Sequence, residues 1–371
     1  MSLRRWLKRL TAPLQRGRDL ARRQLGLWCF DRPPSPTQGR PGRIVLVRWD
    51  AKLGDAIVSS WFFAALKASR PDVQIEVITT PAMAWLFKEH FGADRVYPCA
   101  KRAGYLELAR LATQLGEVEC LVHFAKQLKM KDLFFLSRVK SQHVAGLDDG
   151  VARVDMKLGA LCQGRHFADK FWLLAERLGA KPPMPGYQIP RLPRHEQAVE
   201  AWWPTQGPVL AINAYGHGGA RRLTDESLNR LLDIVARELP EVTVCLLYAP
   251  MDRQGVAALC HARGDSRVTY YPQSEHIADT IALIARADAL ISVDTATVHI
   301  AVGLDKPVFG LYNPDAENLA DWGPRHARAE VFIAQPVQPQ TINALAWPEL
   351  AQRLPQWWQT QVLPFAGKQT A

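Results

Sequence analysis

The feature that most constrains this chain is a repeated alternation of short apolar runs, polar turns and amphipathic stretches. From Arg43, the run RIVLVRW is followed by the turn DAKLGD, and then by AIVSSWFFAALKASRPD with Ile57, Trp61, Phe62, Ala65 and Leu66 on one helical face. The run VQIEVIT comes next. Such runs are too short for helices and rich in β-branched residues, so they read as buried strands, and strand–helix–strand makes a βαβ unit with a parallel sheet. Further strands are expected at RVYPC, CLVHF and HVAGL, separated by helical stretches such as YLELARLATQL. A Pro-rich break, KPPMPGYQIPRLP, occupies residues 181–193. Beyond it the plan begins again with PVLAINAY, the loop GHGGARRL, the helix TDESLNRLLDIVAREL, the strand VTVCLLYA, the helix HIADTIALIARA and the strand ALISVDT. An α/β fold with two Rossmann-like parallel-sheet domains follows, with ligand expected between them. The boundaries read as a basic extension and linker at 1–42, Rossmann-like domains at 43–185 and 186–345, and a C-terminal helix and tail at 346–371.

A length of 371 residues fits two domains, each able to bury a core. No apolar run approaches the ~20 residues that span a bilayer, and no signal-peptide apolar stretch follows the basic start MSLRRWLKRL, so a cytoplasmic protein is expected. Cysteines at 29, 99, 120, 162, 245 and 260 form no C-x-x-C and no metal-ligand spacing with histidine. The net charge is +10, but residues 1–43 hold eleven Arg/Lys against Asp19 and Asp31 and so carry nearly all of it. The body has no broad basic face for nucleic acid. In the leader, Leu3, Trp6, Leu7, Leu10 and Leu14 recur at helical spacing with Arg4, Arg5, Lys8 and Arg9 between them, a layout suited to an anionic membrane surface. Pro13 is expected to interrupt it and RPPSPTQGRPG to act as a linker, so the leader should contribute membrane attachment and little to the fold. A disordered, solubilising tail is the alternative reading.

In LISVDTATVHIAVGLDKPVFGLY, residues 290–312, a buried strand ends in the polar cluster Asp294, Thr295, Thr297 and His299, and a short helix begins at once. A helix cap alone explains Asp and Thr there, and is worth ~1 kcal/mol. A ligand site is the other reading, because strand ends and helix N-termini in open α/β sheets bind anions. Neither half has G-x-G-x-x-G, which leaves an NAD-dependent dehydrogenase weakly supported, and G-x-x-x-x-G-K-[ST] and G-x-S-x-G are also missing.

Three segments in order carry a family resemblance: RIVLVRWDAKLGDAIVSSWFFAALKASRPDVQIEVIT, NAYGHGGARRLTDESLNRLL, and LISVDTATVHIAVGLDKPVFGLYNPDAENLADWGP. They resemble the bacterial lipopolysaccharide heptosyltransferase family, glycosyltransferase family 9, over about residues 43–330. The family's Gly after Asp-Thr is Ala296 here, its basic residue before Trp is Arg221 or Arg222 before Leu223, and its small polar residues before Leu-Gly-Asp are Ala51-Lys52.

The resemblance implies a GT-B architecture, with the two domains facing each other across a cleft. It also implies inverting transfer of heptose from ADP-heptose to the lipopolysaccharide core, without a metal or other cofactor. Inversion needs one base and a way to hold the charge growing on the departing diphosphate. Asp55 is the expected base, with a helix cap as its structural alternative and Asp50 as the next candidate. Arg221 and Arg222, after the glycines of GHGGA, are expected to clamp the diphosphate, helped by Tyr215, Gly216 and the helix beginning at Thr224. Thr295 and Ala296 would offer N–H groups to phosphate, Asp294 would accept from sugar hydroxyls, and His299 lies one turn further along. Adenine and ribose are expected near YYPQSEHI and YAPMD, with Asp252 on the ribose. Lys52, Lys126, Lys129 and Lys131 would meet an anionic acceptor. The expected partners are an ADP-sugar, the lipopolysaccharide core and the cytoplasmic face of the inner membrane. The alternatives are another nucleotide-sugar enzyme, such as a hexose transferase or an epimerase, and a non-catalytic membrane-associated relative.

Overall fold

The computed structural model describes residues 3–35, 39–181, 186–204 and 207–365, with side chains from residue 15 onward except residue 16. Parts of the expected linker at 32–42 and of the Pro-rich break, the end of the C-terminal tail, and the leader side chains Leu3 to Leu14 lie outside these described residues. The chain divides into two compact units: Met1–Lys52 with Ser60–Pro185, and Leu53–Ser59 with Gly186–Ala371.

The first unit is built on β1 (Arg43–Arg48), β2 (Gln74–Thr79), β3 (Arg95–Pro98), β4 (Glu117–His123), β5 (Lys140–Gly146) and β6 (Met156–Lys157). All pair in parallel in the order β3-β2-β1-β4-β5-β6. The second unit repeats the plan with β7 (Val209–Asn213), β8 (Thr243–Leu247), β9 (Val268–Thr269), β10 (Ala289–Val293), β11 (Val308–Tyr312) and β12 (Ala329–Ile333), in the order β12-β11-β10-β7-β8-β9. Helices cover both faces, which is why β7, β10 and β11 are buried at every residue and read in sequence as unbroken apolar runs. In each sheet the order reverses between two central strands, β1 and β4 in one and β10 and β7 in the other, and such switch points leave a crevice at the strand ends. The C-terminal helix Trp347–Trp357 is part of the second core, where it buries Leu350, Leu354 and Trp357.

Two expectations need correction. The leader is one helix, Leu3–Phe30, which runs through Pro13, and its second half belongs to the first unit. A Cβ at Gly26 would stand 3.2 Å from the Met130 Cα of the helix Met130–Arg138, so glycine lets the two helices approach closely. Leu27 and Phe30 pack against the first core, Arg23 donates to both carboxylate oxygens of Asp148 at 2.9 and 2.7 Å, and Asp31 accepts from the N–H groups of Ala152 and Arg153. The second correction concerns Leu53–Ser59, assigned by the sequence to the N-terminal domain. This helix packs on the helix Ala296–Gly303 and belongs with the second unit.

Candidate functional site at the second switch point

The carboxyl ends of β7 and β10 lie side by side, and Asn213, the last residue of β7, joins them. Its Nδ2 donates to Thr295 Oγ1 at 2.8 Å, Thr297 Oγ1 at 2.9 Å and Ser292 Oγ at 3.3 Å. The three hydroxyls also bond one another, with Thr295 to Thr297 at 2.7 Å and Ser292 to Thr297 at 2.8 Å. Thr295 therefore shares its hydroxyl within this cluster and makes no side-chain cap bond to the helix Ala296–Gly303 that it precedes. The first N–H groups of such a helix have no intrahelical acceptor and are donors for an anion.

The loop after β7 closes on itself through an isolated bridge between Tyr215 and Arg222. Gly216 is required there, because a Cβ would meet the Arg221 carbonyl oxygen at 2.1 Å. The two arginines diverge. Arg221 donates to Asp294 Oδ2 at 3.0 Å, an oxygen that also accepts from Asn318 Nδ2 at 2.8 Å. Arg222 lies over the Tyr215 ring at 4.5 Å and donates to Asp252 Oδ1 at 2.7 Å. Burial raises the Tyr215 phenol to about 12, so it stays a neutral donor. Asp252 and Asp294, expected on ribose and sugar, each hold an arginine, and a paired clamp of Arg221 with Arg222 is not what the loop presents.

Beside this cluster is a cavity of about 320 Å³, lined from the ends of β7 (Asn213, Tyr215), β8 (Leu247 to Pro250) and β10 (Thr295 to Thr297), and by Ser274 to Ile277 with Thr280. The stretches YAPMD and YYPQSEHI thus come together there, and Tyr215, Thr295 and Ala296 line the same cavity. The Ser274–Ile277 wall is fixed by Asp279, which accepts from the N–H groups of His276 at 2.9 Å and Glu275 at 3.0 Å and from His195 Nδ1 at 2.6 Å. Burial opposes ionisation of Asp279, but these hydrogen bonds outweigh it and hold the carboxyl below its ordinary range.

His299 is 3% exposed, and burial lowers its pKa to about 4, so the ring is neutral at physiological pH. The Trp322 and Tyr187 rings stand edge-on to it at 6.1 and 6.2 Å, which gives the Trp-Gly-Pro segment a packing role. On the Gly54 side contact is closer still: a Cβ at Gly54 would lie 3.1 Å from His299 Cδ2 and 3.7 Å from the Ala296 methyl. Asp55, in the first turn of the same short helix, is therefore carried beside the start of Ala296–Gly303. The turn before it contains Ala51 at φ 55°, a left-handed backbone that alanine adopts at a cost of roughly 1–2 kcal/mol.

Lys52, Lys126, Lys129 and Lys131 belong to the first unit. All four are exposed; Lys126 and Lys129 lie in the turn after β4, and Lys131 donates to the Ala103 carbonyl and lies over the Tyr105 ring. Asp50 is 3.9 Å from the Arg48 guanidinium. Among the described residues no group of three or more His, Cys, Asp or Glu side chains could hold a metal ion. Sequence reasoning missed Asn213, Asn318 and Thr280. Asn213 closed an apolar run and read as the end of a strand, and its role rests on partners distant in sequence.

Comparison with known proteins agrees with this architecture. The description Glycosyltransferase family 9 (heptosyltransferase) matches residues 134–342, more than half of the chain. A protein of Escherichia coli (strain K12), named as a candidate lipopolysaccharide heptosyltransferase 4, is 23% identical over 301 residues, covering 78% of this chain and 81% of the relative. Among solved structures, the family 9 glycosyl transferase from Veillonella parvula DSM 2008 superimposes with a TM-score of 0.69 at 15% identity, covering 87% of this chain and 99% of that one. E. coli heptosyltransferase WaaC with ADP-2-deoxy-2-fluoro heptose gives 0.61 at 16% identity, covering 85% and 99%. The fold is GT-B, and the chain, an enzyme of the glycosyltransferase class, belongs to glycosyltransferase family 9, the heptosyltransferases.

Proposed function

We propose that the protein transfers heptose, with inversion, from ADP-heptose to the core oligosaccharide of lipopolysaccharide at the cytoplasmic face of the inner membrane. The observation that supports this reading is the packing of the helix Leu53–Ser59, which contains Asp55, against Ala296 and His299, with Ala296 also lining the cavity of about 320 Å³. In the proposed reaction the nucleotide enters the cavity between Tyr248 and the Ser274–Ile277 wall, and its diphosphate meets the N–H groups of Ala296 and Thr297. Asp55 takes the proton of the attacking hydroxyl as the glycosidic oxygen bond forms and the bond to the diphosphate breaks. Fixed N–H groups, with Arg221 or Arg222 nearby, hold the leaving charge and no metal is needed. The E. coli enzyme solved with an ADP-heptose analogue supports the donor class.

The test is a donor panel of ADP-heptose, ADP-hexose and UDP-sugars, scored by acceptor-dependent release of nucleoside diphosphate. Release confined to ADP-heptose is the expected outcome. Turnover with a UDP-sugar alone would move the chain to another nucleotide-sugar reaction, and donor binding without release would leave it a non-catalytic relative.

A further inference from the structure

We propose that the outer face of the leader helix Leu3–Phe30 is a docking surface for an anionic lipid bilayer, lying in the interface plane. The inner face is fixed by three independent contacts. Gly26 abuts Met130 and Leu133, Leu27 and Phe30 are partly buried against the first core, and Arg23 is held by Asp148. With that register locked, Trp28 is left 76% exposed, Leu20 61% and Leu25 48%. Leu25 and Trp28 are three residues apart, so they sit together on the helix, and tryptophan is a side chain that settles at headgroup level.

In the sequence, Ala21, Leu25 and Trp28 recur in fours and threes, and upstream Leu3, Leu7, Leu10 and Leu14 do the same, with Arg18 at the helical position between the two runs and Arg4, Arg5, Lys8 and Arg9 among the upstream leucines. Arg18 and Arg22 are exposed on the described part of the helix. An apolar stripe edged by arginines lies on an anionic surface. No described helix is long and apolar enough to cross a membrane, so the leader is placed on the bilayer. Charge selects the occupant. Residues 1–43 hold eleven Arg/Lys against two Asp, so a second copy of the chain would bring like charge against this face, whereas phosphate headgroups complement it.

This inference does not rest on the proposed reaction, and its test needs neither donor nor acceptor. The full chain is floated with vesicles of phosphatidylcholine, alone or mixed with phosphatidylglycerol, at low and high salt. Salt-sensitive binding to the anionic vesicles is expected, weakened by about tenfold or more in Leu25→Ser/Trp28→Ser and also weakened in Arg18→Gln/Arg22→Gln. Because these side chains are exposed, all variants should keep the wild-type melting temperature. Undiminished binding of the Leu25/Trp28 variant, or equal wild-type binding to neutral vesicles, would overturn the proposal. So would sedimentation showing self-association that the same variant abolishes, which would assign the face to a second copy.

Discussion

The turns after β1 and after β10 both leave the carboxyl end of a strand at a switch point, and both pass an Asp before entering a short helix. They are held in opposite ways. After β10 the turn is anchored locally, with Asn213 tying Ser292, Thr295 and Thr297 into one hydroxyl cluster and Asp294 gripped by Arg221 and Asn318. After β1 the chain turns through Ala51 in a left-handed conformation and sends Leu53–Ser59 to pack on Ala296–Gly303. In the proposed reaction the first arrangement receives the diphosphate, and its donors are already held by hydrogen bonds within the unit. The second positions the helix that carries Asp55 by helix-to-helix contact, where Gly54 meets His299 and Ala296.

The largest effect is expected at Asp55. Asp55 lies inside the first turn of Leu53–Ser59 and not at the cap position expected from the sequence; Asp55→Asn keeps its size, yet turnover should fall ~10²- to 10⁴-fold, as for a removed general base. Near-normal turnover, measured by ADP release, would leave Asp55 a structural residue of the helix's first turn. Gly54→Ala probes the contact itself. The added methyl meets His299 and Ala296 and must displace the Asp55 helix by a few tenths of an ångström, so turnover should fall on the order of tenfold with donor affinity little changed. Equal loss of donor affinity and turnover would show that the two turns are not separable.

The pH dependence of stability sharpens the same contrast. Above about 6.5 the His299 ring is neutral in both folded and unfolded chains. As pH falls from there to about 4, the unfolded chain takes up a proton that the folded ring refuses, so stability should drop by up to about 3 kcal/mol across that window. His299→Gln should flatten the fall in thermal melts, and an unchanged slope would remove His299 as its source. The smallest effect is expected at Ala51→Gly, where relief of the left-handed backbone is partly offset by a freer unfolded chain, for a net gain of about 0.5–1 kcal/mol. A loss of stability there would mean that the turn is unstrained.

Much of this was legible in the sequence for a physical reason. β1, β4, β7 and β10 are covered on both faces and so announce themselves as apolar runs, and YAPMD stands out by its position after the run VTVCLLYA. β6 and β9 have two residues each, too few to generate a period, and β12 was also missed. The spacing of Arg221 and Arg222 could not reveal that one pairs with Asp294 and the other with Asp252, because both partners lie on other segments. The leader was undervalued because its docking depends on a glycine, Gly26, whose meaning is visible only against Met130 and Leu133.

In the proposed reaction the helix Leu53–Ser59 responds to donor together with the helix Ala296–Gly303, with which it shares a unit. Amide hydrogen exchange with and without ADP-heptose tests it directly. Protection of Leu53–Ser59 together with Ala296–Gly303 and the Ser274–Ile277 wall is the predicted result. Protection of Ala296–Gly303 with no change in Leu53–Ser59 would contradict it.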